Sequence, residues 1–205
     1  MAEPACYESL ESAEADIWSR LSRAAVDRRS PWHTPALATV SADGAPSVRV
    51  LVLREVARAA RRLRLHTDLR SAKTAEIAAE PRVGLLFYDR GAKLQLRACG
   101  TASVAPRGTT ADAAWAATGP FARRCYTAPV APGTPAPGPV SGLPATLEHR
   151  EPTLEESESG RPHFAVILVE LTRLEFLHLA VTGHRRGAFA WDAAAGQWTA
   201  GWLVP

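Results

Sequence analysis

The sequence predicts a mainly β fold of the α+β class, with about six to eight antiparallel strands forming a small barrel beside an N-terminal helix and two small helices. Three observations predict it. Apolar residues recur at helical spacing near the start of the chain. Short apolar runs separated by turn residues follow. A long proline-rich segment then precedes a second group of strand-like runs.

Length and composition indicate a single folded domain and argue against nucleic acid and membranes as partners. The chain of 205 residues is 46% hydrophobic and 22% charged, so we expect residues 1–205 to form a single folded domain. The net charge of +3 is too small and too scattered to indicate nucleic acid binding. The absence of a long apolar run argues against a membrane partner, and no secretory leader is expected. Three widely spaced cysteines favour neither a disulfide scaffold nor a metal site, so a reducing cytoplasm is the expected location.

An amphipathic helix is predicted over residues 8–29, with Ser9 as its N-cap and Ser30-Pro31 at its end. Two short strands, Ala36–Val40 and residues 48–53, are predicted next, because Asp43-Gly44 lies in the turn between them.

Alternating apolar residues and proline positions predict the remaining elements of the first half: strands over 63–67, 83–88 and 94–104, and small helices over 71–80 and 111–117. The continuous apolar run at 83–88 predicts a strand that is buried on both faces.

Residues 127–162 contain eight prolines interleaved with glycine and serine. Because proline cannot donate to a sheet ladder, we expect a long loop or insertion without a strand here, which could lie over a ligand as a lid. Strands are predicted again over 164–179, 187–191 and 197–203.

Two segments in the first half carry candidate binding residues. Arg49 and Arg54 bracket an apolar run, which taken alone is more commonly a sheet strand with solvated ends. Ser71 and Lys73 open a helix after a polar turn that contains Arg70, and unpaired N–H donors at a helix start favour a phosphate. The alternative for this second segment is a capped surface helix with two solvated cations.

Two later segments are further candidates. Gln95 and Arg97 share one face of a strand and could contact the edge of a heteroaromatic ring, or could be ordinary outward-facing polar residues. His184 and Arg186, with Arg185 between them, could bind an anionic substrate or could form a basic surface turn.

Taken in order, these segments resemble the pyridoxamine 5′-phosphate oxidase family of FMN-binding split barrels. The resemblance covers about residues 30–105 well and 163–205 moderately. It rests on the following residues: the run Arg49 to Arg54, His66-Thr67, Ser71 with Lys73, Glu80 to Val83, Gln95 with Gly100, and Trp198 to Pro205.

The resemblance implies FMN as the cofactor, a split barrel as the fold, and a homodimer with FMN between the subunits. Arg49, Lys73 and Ser71 would then bind the FMN phosphate, and Arg70 would replace a family arginine that is Ala72 here. Further cofactor contacts are implied for the flavin itself or the region beside it: Val50, Leu51, Arg54, His66, Thr67 and Gln95.

The implied activity is FMN-dependent oxidation or reduction of a small, anionic molecule by hydride transfer to flavin N5, with His184 and Arg186 positioning the substrate. Synthesis of pyridoxal phosphate is not expected, because residues 115–123 lack the family's tyrosine, arginine and serine in register. Two alternatives are a flavin-binding protein without turnover, and a split barrel that uses a deazaflavin or haem.

Overall fold

The computed structural model describes residues 7–205, so Cys6 lies outside the described residues. Within that range the chain forms nine strands: β1 Ala36–Val40, β2 Pro46–Val50, β3 Leu53–Ala57, β4 Arg62–Asp68, β5 Arg82–Asp89, β6 Leu94–Ala105, β7 Phe164–His178, β8 Arg185–Asp192 and β9 Gln197–Leu203. The same residues form five α-helices: α1 Leu10–Val26, α2 Ala72–Ala79, α3 Thr109–Ala116, α4 Pro120–Arg123 and α5 Leu154–Glu158.

The strands form one antiparallel sheet in the order β2-β1-β5-β6-β7-β4-β3, and β8 and β9 branch from β7. The two edge strands β2 and β3 are consecutive in sequence but do not pair with each other. The sheet therefore folds into a split barrel rather than a closed one, which confirms the predicted fold class.

Helix α1 packs its apolar stripe into the main core and confirms the N-terminal helix. Ser9 is its N-cap, because the side chain accepts a hydrogen bond of 3.1 Å from the Ser12 N–H. The helix ends at Val26, earlier than Pro31, because Asp27 leaves the helical conformation and its side chain accepts from the Arg29 N–H.

Two predictions about individual strands are wrong. Residues 48–53 do not form one strand, because β2 ends at Val50 and β3 begins at Leu53 after a break in the sheet path. Residues 83–88 are not buried on both faces, because burial alternates along β5 and leaves Leu86 and Tyr88 exposed on one side.

Helices α4 and α5 were not expected. Segment 127–162 contains no strand, as predicted, but it holds the whole of the short helix α5. A capping box starts this helix, with the Thr153 side chain on the Glu156 N–H and the Glu156 side chain on the Thr153 N–H. Among residues 7–205, no helix combines the length and the hydropathy that a membrane span requires.

The buried apolar residues form two clusters. The main cluster fills the barrel and includes the buried face of α1. A smaller cluster lies outside the barrel, where Trp115 and Tyr126 pack on Phe164 of β7. This second cluster holds α3 and Tyr126, which immediately precedes segment 127–162, against strand β7.

Candidate functional site

Arg49 is fixed in place on β2 by three side chains that the sequence analysis did not single out for this role. It donates to Thr39, to the Ser47 Oγ at 2.5 Å, and to the Glu76 carboxylate at 2.7 Å. Glu76 is a buried residue in the middle of α2, and its carboxylate also accepts a hydrogen bond of 2.5 Å from the Thr39 hydroxyl. Burial raises the pKa of Glu76, but the hydrogen bonds from Thr39 and Arg49 outweigh it and hold that pKa below its usual value. Arg49 is therefore held by an ionised carboxylate.

Lys73 lies beside Arg49 at the N-terminus of α2. Burial lowers the pKa of Lys73, and the positive charge of Arg49 lowers it further. The Lys73 ammonium donates to the Thr67 hydroxyl at 3.3 Å. Two cations thus approach one another at a helix start, an arrangement that a bound anion would stabilise.

Ser71 is the buried N-cap residue of α2, but its side chain caps none of the helical N–H groups. The first N–H groups of a helix have no acceptor within the helix. Ser71 and Lys73 thus lie at the start of α2, and Arg49 is held to the same helix by Glu76; donors of these types fit a phosphate group.

Arg70 is the third cation near this position. Its guanidinium forms a two-pronged pair with Asp68, with distances of 3.0 Å and 2.7 Å, and its N–H also contacts that carboxylate. The Asp68 hydrogen bonds raise the pKa of Arg70. Arg70 closes the turn before α2, and its contact with a cofactor phosphate stays a prediction.

Arg54 and His66 lie on the other side of the sheet. His66 follows Arg64 at the same parity on β4, whereas the neighbouring Thr67 side chain turns towards Lys73. We name the cavity here, of about 290 Å³, the arginine cavity; its charged and imidazole lining comprises Arg28, His33, Arg54, Arg64 and His66.

Comparison with known proteins places these residues in a family. A sequence model of pyridoxamine 5′-phosphate oxidases matches residues 22–139. A pyridoxine/pyridoxamine 5′-phosphate oxidase from Sphingopyxis alaskensis is 31% identical over 197 residues, which is 93% of this chain and 85% of that protein. The chain belongs to the pyridoxamine 5′-phosphate oxidase family.

Other members of the family match over less of their length. A pyridoxine/pyridoxamine 5′-phosphate oxidase from Psychrobacter arcticus is 32% identical over 135 residues, or 66% of this chain and 57% of that protein.

Solved structures support the fold. A pyridoxamine 5′-phosphate oxidase-related, FMN-binding protein from Nostoc punctiforme has a TM-score of 0.71 at 22% identity, covering 96% of this chain and 98% of that one. PhzG from Burkholderia lata has a TM-score of 0.67 at 18% identity, covering 100% of this chain and 98% of that one.

The family pattern places Arg49 and Arg54 in one run, although they have opposite parity on an ideal strand. The structure accommodates both through a strand end within the run: β2 stops at Val50, Leu51 donates its N–H to the Pro35 carbonyl, and the register shifts again between Leu53 and Glu55. As a result Arg49 contacts α2, whereas Arg54 lines the arginine cavity.

The remaining predicted site residues lie apart from the helix start within one chain. Val50 is exposed on edge strand β2, and Leu51 is partly buried against the core. Gln95 pairs with Leu177 of β7, which in turn pairs with Arg186 of β8, so Gln95 and Arg186 lie in one row across three strands.

His184 is exposed in the turn before β8, and Arg186 is bound to Glu175 at 2.7 Å. Arg97 and Arg173 pair with the same Glu175 carboxylate. Burial raises the pKa of Glu175, but hydrogen bonds from Arg186 and Arg173 hold it below its usual value. Three guanidinium groups on one carboxylate leave this face of the sheet positively charged.

The residues that hold Arg49 in position were not predicted from the sequence, although Arg49 itself was. Thr39 and Ser47 lie on opposite strands of the first hairpin, so their role depends on strand pairing. Glu76 was read only as a helix residue. Its spacing of three from Lys73 was the one available indication, since both residues fall on the same side of a helix.

Proposed function

We propose that the chain binds FMN and acts as an FMN-dependent oxidoreductase on a small, anionic molecule. The observation that carries this proposal is the ion pair of 2.7 Å that holds Arg49 to Glu76 on α2, one turn from Lys73, at a helix start whose N-cap residue Ser71 caps none of the helical N–H groups. A phosphate there would satisfy helix N–H donors and separate the charges of two neighbouring cations.

FMN, when bound, supplies the hydride-accepting and hydride-donating ring. The residues of this chain would bind and orient it. Arg49 and Lys73 would hold the phosphate, and Glu76 would keep Arg49 pointed at it. Thr67 would hold Lys73 by its hydroxyl, and Gln95 would donate to the polar edge of the ring.

The proposal includes a homodimer. Large apolar side chains are exposed on the sheet face formed by β1, β2 and β5: Val48 (64%), Val50 (62%), Leu86 (43%) and Tyr88 (47%). Contiguous exposed apolar surface of this kind marks an interaction face. Light scattering should give twice the chain mass, and Leu86→Glu should reduce it to the monomer mass; a monomeric wild-type protein would contradict this part of the proposal.

The FMN assignment is tested by absorbance and by fluorescence titration of the apoprotein. Purified protein should absorb at about 450 nm, and the fluorescence of the flavin should change when it binds to the apoprotein. Lys73→Met should weaken FMN binding at least about tenfold, because it removes a charge-assisted contact to the phosphate. Arg82→Met, which removes an exposed cation paired with Glu80, is the matched control and should bind like the wild type.

Failure to bind FMN would refute the proposal, and a deazaflavin or haem spectrum would favour one of the alternatives. Enzyme and carrier are separated by mixing the loaded protein with NADH or NADPH, and then with pyridoxamine phosphate, under anaerobic conditions. Loss of the flavin absorbance supports turnover, whereas an unchanged spectrum favours a flavin-binding protein without turnover.

A further inference from the structure

Three cations of this chain are candidates for binding the cofactor phosphate near the start of α2, and two of them already have a buried carboxylate partner. The Arg49 guanidinium lies 2.7 Å from the Glu76 carboxylate. The Arg70 guanidinium lies 2.7 Å from the Asp68 carboxylate. Only 9% of the Glu76 side chain and 8% of the Asp68 side chain are exposed. Solvent ions therefore screen these two pairs less than they screen a pair on the surface.

The donor groups of Arg49 are also largely occupied. A guanidinium has five N–H groups on three nitrogen atoms. The Nη1 atom of Arg49 donates to the Thr39 hydroxyl, and Nη2 donates to the Ser47 hydroxyl and to the Glu76 carboxylate. Nε is the one nitrogen of this guanidinium without an acceptor in the described range 7–205. An incoming phosphate would therefore find one free nitrogen on Arg49, or would have to displace an existing partner.

Arg70 is occupied to a similar extent, whereas Lys73 is not. The Nε and Nη2 atoms of Arg70 donate to Asp68 at 3.0 Å and 2.7 Å, and Nη1 donates to the Pro129 carbonyl at 3.4 Å. Lys73 forms no ion pair within residues 7–205, and its ammonium donates there only to the Thr67 hydroxyl, at 3.3 Å. An ammonium has three N–H donors, so two remain. Lys73 is thus the cation of this group that is free to bind an anion.

The two carboxylates act on Lys73 as well as on their arginine partners. Burial and the charge of Arg49 lower the pKa of Lys73. The charges of Asp68 and Glu76 raise that pKa, but the lowering is larger. The three cations and two carboxylates leave one net positive charge, whereas a phosphate monoester carries about −1.5 to −2 at pH 7. The carboxylates thus remove an excess of positive charge that would otherwise attract the phosphate.

We infer that the two buried carboxylates, Glu76 and Asp68, weaken the binding of the FMN phosphate and so make FMN an exchangeable cofactor. The inference rests on the proposed function, because it concerns the same site. Glu76 then has two separable effects: its side chain orients Arg49, and its charge opposes the phosphate. A glutamine at this position can still accept hydrogen bonds from Arg49, but it lacks the charge.

The test compares Glu76→Gln and Asp68→Asn with the wild type by calorimetric titration with FMN, riboflavin and inorganic phosphate. Each variant should bind FMN and inorganic phosphate at least about threefold more tightly, because the loss of a nearby negative charge strengthens the attraction of an anion. Riboflavin, which has no phosphate, should bind equally to the variants and the wild type. Glu80→Gln is the matched control, because Glu80 lies at the other end of α2 and pairs with Arg82; it should bind all three like the wild type.

Two further measurements separate a charge effect from a structural one. Dialysis against flavin-free buffer should remove FMN from the wild type faster than from either variant. Addition of Lys73→Met to Glu76→Gln should abolish the gain in affinity, which would locate the effect at the start of α2. A purely structural role of the carboxylates predicts weaker FMN binding in the variants instead, and circular dichroism checks that each variant is folded.

The inference is overturned if the folded variants bind FMN and inorganic phosphate no more tightly than the wild type, or if the wild type retains FMN during dialysis as long as the variants do. If one variant does not fold, the other decides. If the variants bind inorganic phosphate more tightly than the wild type but no form binds FMN, the neutralisation by the carboxylates stands and the proposed function fails.

Discussion

The Nη2 atom of Arg49 lies 2.7 Å from the Oε2 atom of Glu76, and this ion pair joins edge strand β2 to helix α2. Only 9% of the Glu76 side chain is exposed, against 21% of that of Arg49. The pair therefore does two things. It fixes an edge strand that has no partner on its outer side, and it directs a guanidinium towards the start of the helix that carries Lys73.

Glu76→Gln should destabilise the fold at pH 7 by about 1–3 kcal/mol, because it removes one partner of a partly buried pair. The folded pKa of Glu76 lies below its usual value, so its stabilisation is present above the unfolded pKa and is lost as the pH falls through the folded pKa. The difference between variant and wild type in urea unfolding should thus shrink below about pH 4. Glu14→Gln, which breaks an exposed pair with Arg58, should change stability little.

Gly100 marks a close approach between β6 and β7. A Cβ atom at this position would lie 2.1 Å from the Glu170 carbonyl oxygen, beside the register shift between Cys99 and Gly100. Gly100→Ala should therefore cost about 2–4 kcal/mol in the free energy of unfolding, since backbone must move to accept the methyl group. Gly84→Ala is the control, because its Cβ would meet only the Ala38 Cβ at 3.9 Å. Equal stability of the two variants would contradict this account.

The sequence predicted the parts of the fold that depend on local chemistry. The Asp43-Gly44 turn predicted the first hairpin, and Gly44 takes the positive φ of 85° that the turn needs. Helix α2 begins after Ser71, as the change from a polar turn to a helical pattern predicted. Features that depend on pairing across the sheet were not predicted, and the exposed face of β5 is an example. A continuous apolar run predicts a buried strand, but it does not tell whether this chain or another surface buries the strand.

The candidate site likewise has one part that the sequence predicted and another that it did not. Arg49 and Lys73 were predicted as a pair from a family resemblance; Arg49 is bound to Glu76, one turn along α2 from Lys73, and their contact with one phosphate stays a prediction. The assembly of the arginine cavity could not be predicted, because Arg28, Arg54 and Arg64 come from a helix end and two strands. Their convergence depends on how α1 packs across β3, a long-range contact with no local pattern.

Glu158 ties segment 127–162 to the rest of the chain. Its two carboxylate oxygens accept from the Trp115 ring N–H at 3.0 Å and from Arg123 at 2.5 Å, and Arg123 is almost fully buried. Glu158→Ala should leave that guanidinium without a counter-charge, lower stability by about 1–2 kcal/mol, and speed limited proteolysis within 127–157. Glu155→Ala, an exposed residue of the same helix, should be cleaved at the wild-type rate. Unchanged cleavage of the Glu158 variant would show that other contacts hold the segment.

The stability of the chain should depend on pH through His66. Because burial, Arg54 and Arg64 lower the folded pKa to about 3 from an ordinary value of 6.5, the unfolded chain binds the proton more readily between those two values. Stability should therefore fall as the pH drops from 7 to 5, with about 2 kcal/mol of that fall due to this ring. The charged and titratable groups that line the arginine cavity around the ring are Arg28, Arg54, Arg64 and His33, and Arg54 and Arg64 oppose protonation of the ring.

Urea unfolding at both pH values, in phosphate-free buffer, measures this dependence. His66→Leu should remove about 2 kcal/mol of the difference between pH 7 and pH 5, whereas His184→Leu, at an exposed turn, should retain it. A wild-type slope that persists in the His66 variant would assign the pH dependence to other groups.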